Sequence, residues 1–455
     1  MNIKKITLLL GLSLMTTQTY AANWLMLQGT EKTGSSARAK VWGFIQPEYQ
    51  STDGTKVPAG PWAGSNMNPN MIKPDNKSTE SFNIRRARIG VRGTGFPLDD
   101  KVNYFFLAEF GNNGITKLGG TGVAATDASI TLNHIPGARI RVGLFKTPTA
   151  EEGLQAIHVF NYVNFTNISN QMMLERFTNG DGSTSTIAPG NVQQGGINAP
   201  TQSVGAFRDQ GIQVFDTFKF NNWEHSYAVM YGNGNGINFG DNDDNKDLYL
   251  RWSSTLVFGG KGARRQDLKM FVWQQDGKRT LTGKGNTGGA GEYDRTRNGL
   301  GFTFLKGNLR AAAEYMTADG MIFNGSDGGA TVGSNSAPWP PTSATPTVVT
   351  SSLNVLTDNK ANGYYLDFGY KVIPKLELDL RYDVLNRGTE GAAGIERKFE
   401  TVTLGAQFFF NKKTRVTFNY EFRDLEAPGQ PSSAAANLIG DGIDDRLSLQ
   451  LLAIF

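Results

Sequence analysis

The feature that most constrains this chain is a two-residue alternation recurring in sixteen segments, joined by connections that are short and long in turn. The segments run roughly over 39–49, 81–94, 101–111, 124–134, 138–146, 207–219, 222–233, 245–258, 266–278, 292–305, 308–320, 361–372, 375–387, 396–410, 413–424 and 444–455. Successive side chains of a strand point to opposite faces, so the alternation sorts two residue classes onto two faces. Over 376–384, Leu376, Leu378, Leu380, Tyr382 and Val384 oppose Glu377, Asp379, Arg381 and Asp383. The split recurs where Val416, Phe418, Tyr420 and Phe422 alternate with Arg415, Thr417, Asn419, Glu421 and Arg423. It appears again where Leu248, Leu250 and Trp252 alternate with Asp247, Tyr249, Arg251 and Ser253.

The short connections, at 95–100, 135–137, 221–222, 259–265, 306–307, 373–374 and 411–412, carry turn-forming Gly, Pro, Asn and Asp. The long ones, at 50–80, 112–123, 147–206, 234–244, 279–291, 321–360, 388–395 and 425–443, are polar. A soluble sandwich has no reason to keep this order over sixteen strands. A bacterial outer-membrane barrel does, with short periplasmic turns and long extracellular loops. The expected fold is all-β, a closed 16-stranded antiparallel transmembrane barrel over 39–455. Its last strand, alternating from Arg446 to Phe455, is expected to pair with the first, because lipid tolerates no open edge. The charged rows would then face a water-filled lumen.

Composition agrees. A mean hydropathy of -0.35 looks soluble, but a barrel wall averages lipid-facing and lumen-facing residues. No later apolar run is long enough for a membrane-spanning helix. Residues 1–22 read as a secretory signal, with Lys4 and Lys5, an apolar stretch over 6–14 and a Thr19-Tyr20-Ala21 cleavage pattern. Residues 23–38 are expected to form a short periplasmic lead-in. The absence of cysteine excludes disulfides, thiolate metal sites and a cysteine nucleophile. The formal net charge of +4, half of it from the signal lysines, implies no nucleic-acid partner.

The segment Phe82-Asn83-Ile84-Arg85-Arg86-Ala87-Arg88-Ile89-Gly90-Val91-Arg92-Gly93 resembles the second strand of the phosphate-selective porin O and P family. Similar stretches follow at Asp127 to Ile130, Arg141 to Lys146, Arg208 to Val214, Gly363 to Tyr365, Leu380 to Asp383 and the terminal Phe455. The resemblance implies a trimeric outer-membrane porin whose third extracellular loop, here 147–206, folds inward as a constriction. It also implies lumen arginines, with lysines at the constriction in phosphate-preferring members. Strand parity turns Arg86, Arg88, Arg92, Arg141, Arg251, Arg295, Arg297, Arg310 and Arg381 inward, together with Glu109, Asp127, Glu314, Asp367, Glu377, Asp379, Asp383 and Glu421. Phe82 and Ile84 share parity with Arg86 and Arg88, so a bulge or a misassigned face is expected there.

The loop departs from the phosphate-selective pattern. It holds no lysine; its one base, Arg176, stands with Glu151, Glu152, Glu175 and Asp181. Lys73, Lys77 or Lys117 from other loops could complete a site. The expected function is passive diffusion of small hydrophilic solutes and inorganic anions with weak anion preference. A dedicated phosphate or polyphosphate porin is the alternative. A barrel enzyme or a sheath for a partner protein stays open beside these. Of His134, His158 and His225, only His158, near Glu151 and Glu152 in sequence, invites a search for general-base chemistry. No hydrolase, metalloprotease or nucleotide-binding motif occurs, and no cofactor is implied. The acidic run from Asp241 to Asn245 lacks the glycine and glutamate of a calcium loop. Expected surroundings are outer-membrane lipid and lipopolysaccharide.

Overall fold

The computed structural model describes residues 23–26, 29–31, 38–52, 80–95, 99–117, 122–175, 185–187, 206–237, 241, 243–260, 264–282, 290–324, 331–332, 349–352, 354–391 and 395–455. The signal assigned to 1–22 lies outside them.

The barrel strands are β1 (Lys40–Thr52), β2 (Glu80–Thr94), β3 (Val102–Glu109), β4 (Ala124–Leu132), β5 (Arg139–Lys146), β6 (Arg208–Phe220), β7 (Trp223–Gly232) and β8 (Asp247–Gly259). They continue as β9 (Gln266–Thr282), β10 (Ala290–Lys306), β11 (Leu309–Asp319), β12 (Lys360–Ile373), β13 (Leu376–Arg387), β14 (Arg397–Asn411), β15 (Thr414–Glu426) and β16 (Arg446–Ile454). Each pairs with its neighbours in sequence, and β16 pairs antiparallel with β1 to close the barrel. Phe44 lies opposite Ile454 and Thr52 opposite Arg446 in that seam. Phe455 extends it, its N–H donating to the Gly43 carbonyl at 2.9 Å and its carbonyl accepting from the Gly43 N–H at 3.2 Å. A side chain on Gly43 would collide with the Phe455 ring and the Arg88 carbonyl, which explains a glycine there.

Burial is inverted relative to a soluble protein. Leu378 and Leu380 are exposed while Glu377, Asp379, Arg381 and Asp383 between them are buried. Leu449 and Leu451 of β16 face outward beside buried Ser448 and Gln450. Such an apolar exterior is stable only against hydrocarbon, and closure pairs the backbone groups that lipid could not satisfy. No helix among the described residues is long and apolar enough to cross a membrane.

The parity conflict in β2 is settled by a bulge. Arg86 lies opposite Gln46 and Ile84 opposite Pro47, so Arg85 is an extra residue. Proline offers no N–H to the ladder, which makes Pro47 a low-cost place to interrupt it. Phe82 and Ile84 consequently stay outside with Ile89, and Arg85, Arg86 and Arg88 all point inward.

Tight turns gather at one end of the barrel. Asn221 and Gly307 sit in them at φ of 52° and 59°, left-handed values that suit Asn and Gly. At this end the start of the chain enters the mouth of the barrel. Trp24–Met26 form a single turn, and Leu25 and Met26 cluster with the buried Phe215 and Ala228. Asn23 donates to Ser226 at 2.7 Å, and Glu31 meets Arg92 at 3.2 Å. The expected lead-in thus includes residues seated against the inner wall.

Candidate functional site: the lumen

After β5 the chain turns into the barrel, and its next residues are held by inward side chains around most of the wall. The short helix α1 (Glu151–Leu154) carries two carboxylates in its first turn. Glu151 is bridged by Arg251 of β8 at 2.6 Å and by Lys269 of β9. Its backbone N–H donates to Glu314 of β11, which also accepts from Trp273 at 2.7 Å and from the Tyr365 hydroxyl at 3.2 Å. Glu152 meets Arg381 of β13 at 3.3 Å and accepts from the Thr166 N–H and hydroxyl.

Farther along, the Asn164 amide donates to Glu421 of β15 at 2.8 Å while its oxygen accepts from Arg85 of β2 at 2.9 Å. Asn167 donates to Asp383 through both its backbone and side-chain nitrogens. The Tyr162 hydroxyl meets Asp367 at 2.6 Å. Glu175, in left-handed backbone at φ 44°, is clasped by Arg295 and Arg297 of β10. Contacts on β2, β8, β10, β13 and β15 require the segment 147–175 to lie across the lumen, not over its rim.

Electrostatics of the loop follow from these partners. Burial alone would raise the Glu151 carboxyl, but Lys269 and Arg251 outweigh it and hold it below the usual carboxylate range. Burial likewise opposes ionisation of Glu175, and Arg295 and Arg297 overcome it. For Glu152 burial wins over Arg381 and the Thr166 donors, and its carboxyl is raised.

The remaining inward residues form pairs on the wall. Arg88 meets Glu109 at 2.7 Å, Asp127 accepts from Arg208 at 3.1 Å, and Arg86 donates to Gln46 at 3.2 Å. Arg92 lies over Trp42, and Arg141 lies over Phe215 with 4.3 Å to the ring centre. Arg310 is surrounded by Asp367, Glu377 and Asp379. Below the crossing segment, towards the tight turns, a cavity of about 830 Å³ stays open, with Tyr365, Arg381, Phe409 and Arg415 among its walls.

Histidine chemistry finds no support in this geometry. His158 packs on Trp42 and Phe44, with ring centres 5.7 and 5.3 Å away, while Glu151 and Glu152 are bound to other partners. Burial, reinforced by Lys146 and Arg415, pulls its pKa to about 3, so it is neutral near pH 7. His134 bonds Asp99 at an exposed turn, and His225 stacks beside Trp223 on the outer face. Among the described residues no acid, histidine or cysteine cluster could hold a metal, and in the acidic run Asp241 pairs with Lys246.

Arg176, Asp181, Lys73 and Lys77 lie outside the described residues. Lys117 donates to the Phe110 carbonyl. The lysines that do grip the loop come from strands: Lys269 binds Glu151, and Lys146 donates to the Gln155 carbonyl at 2.5 Å. Parity with Asp267 could have found Lys269. That signal is weak, because the same inward face also carries the apolar Phe271 and Trp273.

A closed sixteen-stranded barrel with an apolar exterior and a charged interior defines a bacterial outer-membrane channel protein of the porin class. The sequence profile of phosphate-selective porin O and P matches residues 62–439, and the chain belongs to that family. A search of curated proteins found no match. Among solved structures, an anion-selective porin from Comamonas acidovorans is similar at 14% identity, covering 92% of this chain and 100% of that one with a TM-score of 0.50. OmpF of Salmonella typhi, in complex with daunomycin, is similar at 12% identity, covering 92% and 97% with a TM-score of 0.55. At these identities the likeness is one of fold. Family and fold are those of a channel.

Proposed function

We propose that the chain passes small hydrophilic solutes and ions by diffusion, with a weak preference for anions, and that the loop 147–206 sets the size limit. The observation that carries this reading is the crossing of the lumen by 147–175, held by charged groups of opposite walls. Fixed charges in a narrow aqueous path favour one sign of ion by their local field without tight binding. A dedicated phosphate site would need dense free donors to replace water around the anion. Around the loop, the cations Lys269, Arg381, Arg295 and Arg297 are already engaged by Glu151, Glu152 and Glu175. That favours the general channel over the phosphate-selective one, and no catalytic role belongs to the reading. In the membrane the chain works as a homotrimer after removal of residues 1–22, embedded in lipid and lipopolysaccharide.

The test is single-channel conductance of the purified protein in a planar bilayer, with the reversal potential measured across a salt gradient and phosphate added against chloride. The expected result is an open channel with a modest anion preference and no phosphate block at low concentration. Block by dilute phosphate would establish the selective alternative. Silence from folded protein would refute the open pore.

A further inference from the structure

Charge around the lumen is not compensated evenly. The arginines that grip the loop's carboxylates, Arg251, Arg295, Arg297 and Arg381, are each paired, whereas Arg415 of β15, buried to 7% exposure, meets only neutral acceptors among the described residues. Its guanidinium donates to the Gln407 side chain at 2.7 Å and to the Phe160 carbonyl of the loop. Its Nε–H is buried without a hydrogen-bond partner. Gln407 in turn donates to Asp379 at 2.8 Å, so a neutral amide separates Arg415 from the nearest acid of that network. Lys371, Lys375 and Lys413 line the same cavity, and none of them forms an ion pair among the described residues.

These cations share the cavity with apolar surface. Phe409 lies between Lys371 and Arg264, the latter paired with Glu377, its ring centre 4.9 Å from the Arg264 guanidinium and 5.3 Å from the Lys371 nitrogen. Phe160 of the loop, Leu452 and Ile454 continue the apolar lining. On the far wall, Leu25 and Met26 cover Phe215 and Ala228, and Trp24 borders the cavity. Apart from Trp24 and the loop, the cavity is lined by β9 to β16 and the turns beside them, the part of the wall that carries Arg415, Lys371, Lys375 and Lys413.

We propose that this cavity is a binding site for a small carboxylate with an aromatic or apolar body, taken up by solutes passing the channel. The carboxylate meets Arg415 and the neighbouring lysines, and the body lies against Phe409, Phe160 and Leu452. An inorganic anion gains from the charges alone, because only an apolar body gains from leaving water for the aromatic lining. This deepens the diffusion-channel reading and rests on it.

The experiment measures block of ion current through the purified protein at pH 7.5 by benzoate, acetate and phosphate, each added to either side. Benzoate is expected to reach half-block at a concentration about tenfold below acetate, with stronger block from the tight-turn side. Phe409→Ala, which keeps every cation, is expected to bring benzoate towards acetate. Arg415→Gln is expected to weaken benzoate block about tenfold, the loss of one charge-assisted contact. Lys101→Gln, at an exposed turn outside the cavity, leaves block unchanged. Equal block by benzoate and acetate overturns the proposal while leaving the channel intact. Indifference of benzoate block to both Phe409→Ala and Arg415→Gln does the same. Absence of any conductance overturns the channel reading and the proposal together.

Discussion

Replacing Glu151 with Gln isolates the charge that the loop contributes at its best-defined clasp. The carboxylate is buried between Arg251, at 2.6 Å, and Lys269. The substitution keeps the side chain's shape and deletes one negative charge, leaving both cations facing the lumen. For an ion passing about 8 Å away through water, a unit charge is worth about 0.5 kcal/mol unscreened. With a screening length of about 10 Å at 0.1 M salt, about 0.2 kcal/mol remains. Anions gain and cations lose that amount, so the anion-to-cation permeability ratio is expected to rise about twofold. At 0.01 M, where screening reaches about 30 Å, the same arithmetic gives about fourfold. Reversal potentials across a fixed salt ratio, measured at the two mean concentrations, read both values directly. A loop merely loosened by the substitution would raise conductance for both ions and leave the ratio independent of salt. A ratio that stays constant at both concentrations, or moves towards cations, would refute the idea that fixed charge at the clasp sets selectivity.

The two helix carboxylates should also part company in stability. Glu151 is held below the usual carboxylate range, so its stabilisation is full above the ordinary value and is lost as pH falls through the lowered one. Glu151→Gln should therefore cost about 3 kcal/mol in denaturant titrations of the detergent-solubilised protein, at pH 5 as at pH 8. Glu152 is raised by burial, so the fold favours its protonated form below the ordinary value and loses that stabilisation as pH rises through the raised one. Glu152→Gln mimics the protonated form and should leave the pH 8 midpoint unchanged or higher; a loss as large as that of Glu151→Gln would contradict the assignment. His158, with a pKa pulled to about 3, stays neutral from pH 8 down to about 4, and its neutral-form stabilisation is lost only as pH falls from its unfolded value towards 3. His158→Asn should reproduce the parent's conductance profile between pH 5 and 8, and a step near pH 6.5 missing from the variant would disprove this. Deleting Arg85 removes the extra residue of the bulge and preserves both faces of β2, so folded barrel should still form. Deleting Ile89 turns Arg92 towards lipid at about 2–4 kcal/mol if it lies near the midplane, and loss of heat-modifiable folded protein is expected.

Sequence alone determined the wall. The sixteen strands, their alternating short and long connections and the inward rows such as Glu377, Asp379, Arg381 and Asp383 follow from a period of two and from local turn chemistry. Closure at Phe455 follows from the same logic, because a membrane leaves no edge unpaired. Even the conflict around Phe82 and Arg88 was visible as a break in parity, though Pro47 across the ladder was needed to place it at Arg85. Tertiary structure decided what occupies the lumen. Glu151 with Lys269, Asn164 with Glu421 and Asn167 with Asp383 join residues far apart in the chain, and no local period encodes which acid meets which base across a barrel. The aromatics Phe271 and Trp273 face inward for a related reason: a loop packed inside the barrel gives apolar side chains a dry surface on the face where parity expects water. Compensation beside the loop and its lack around Arg415 depend on where that loop lies, which the closed barrel fixes through contacts spread over its whole circumference.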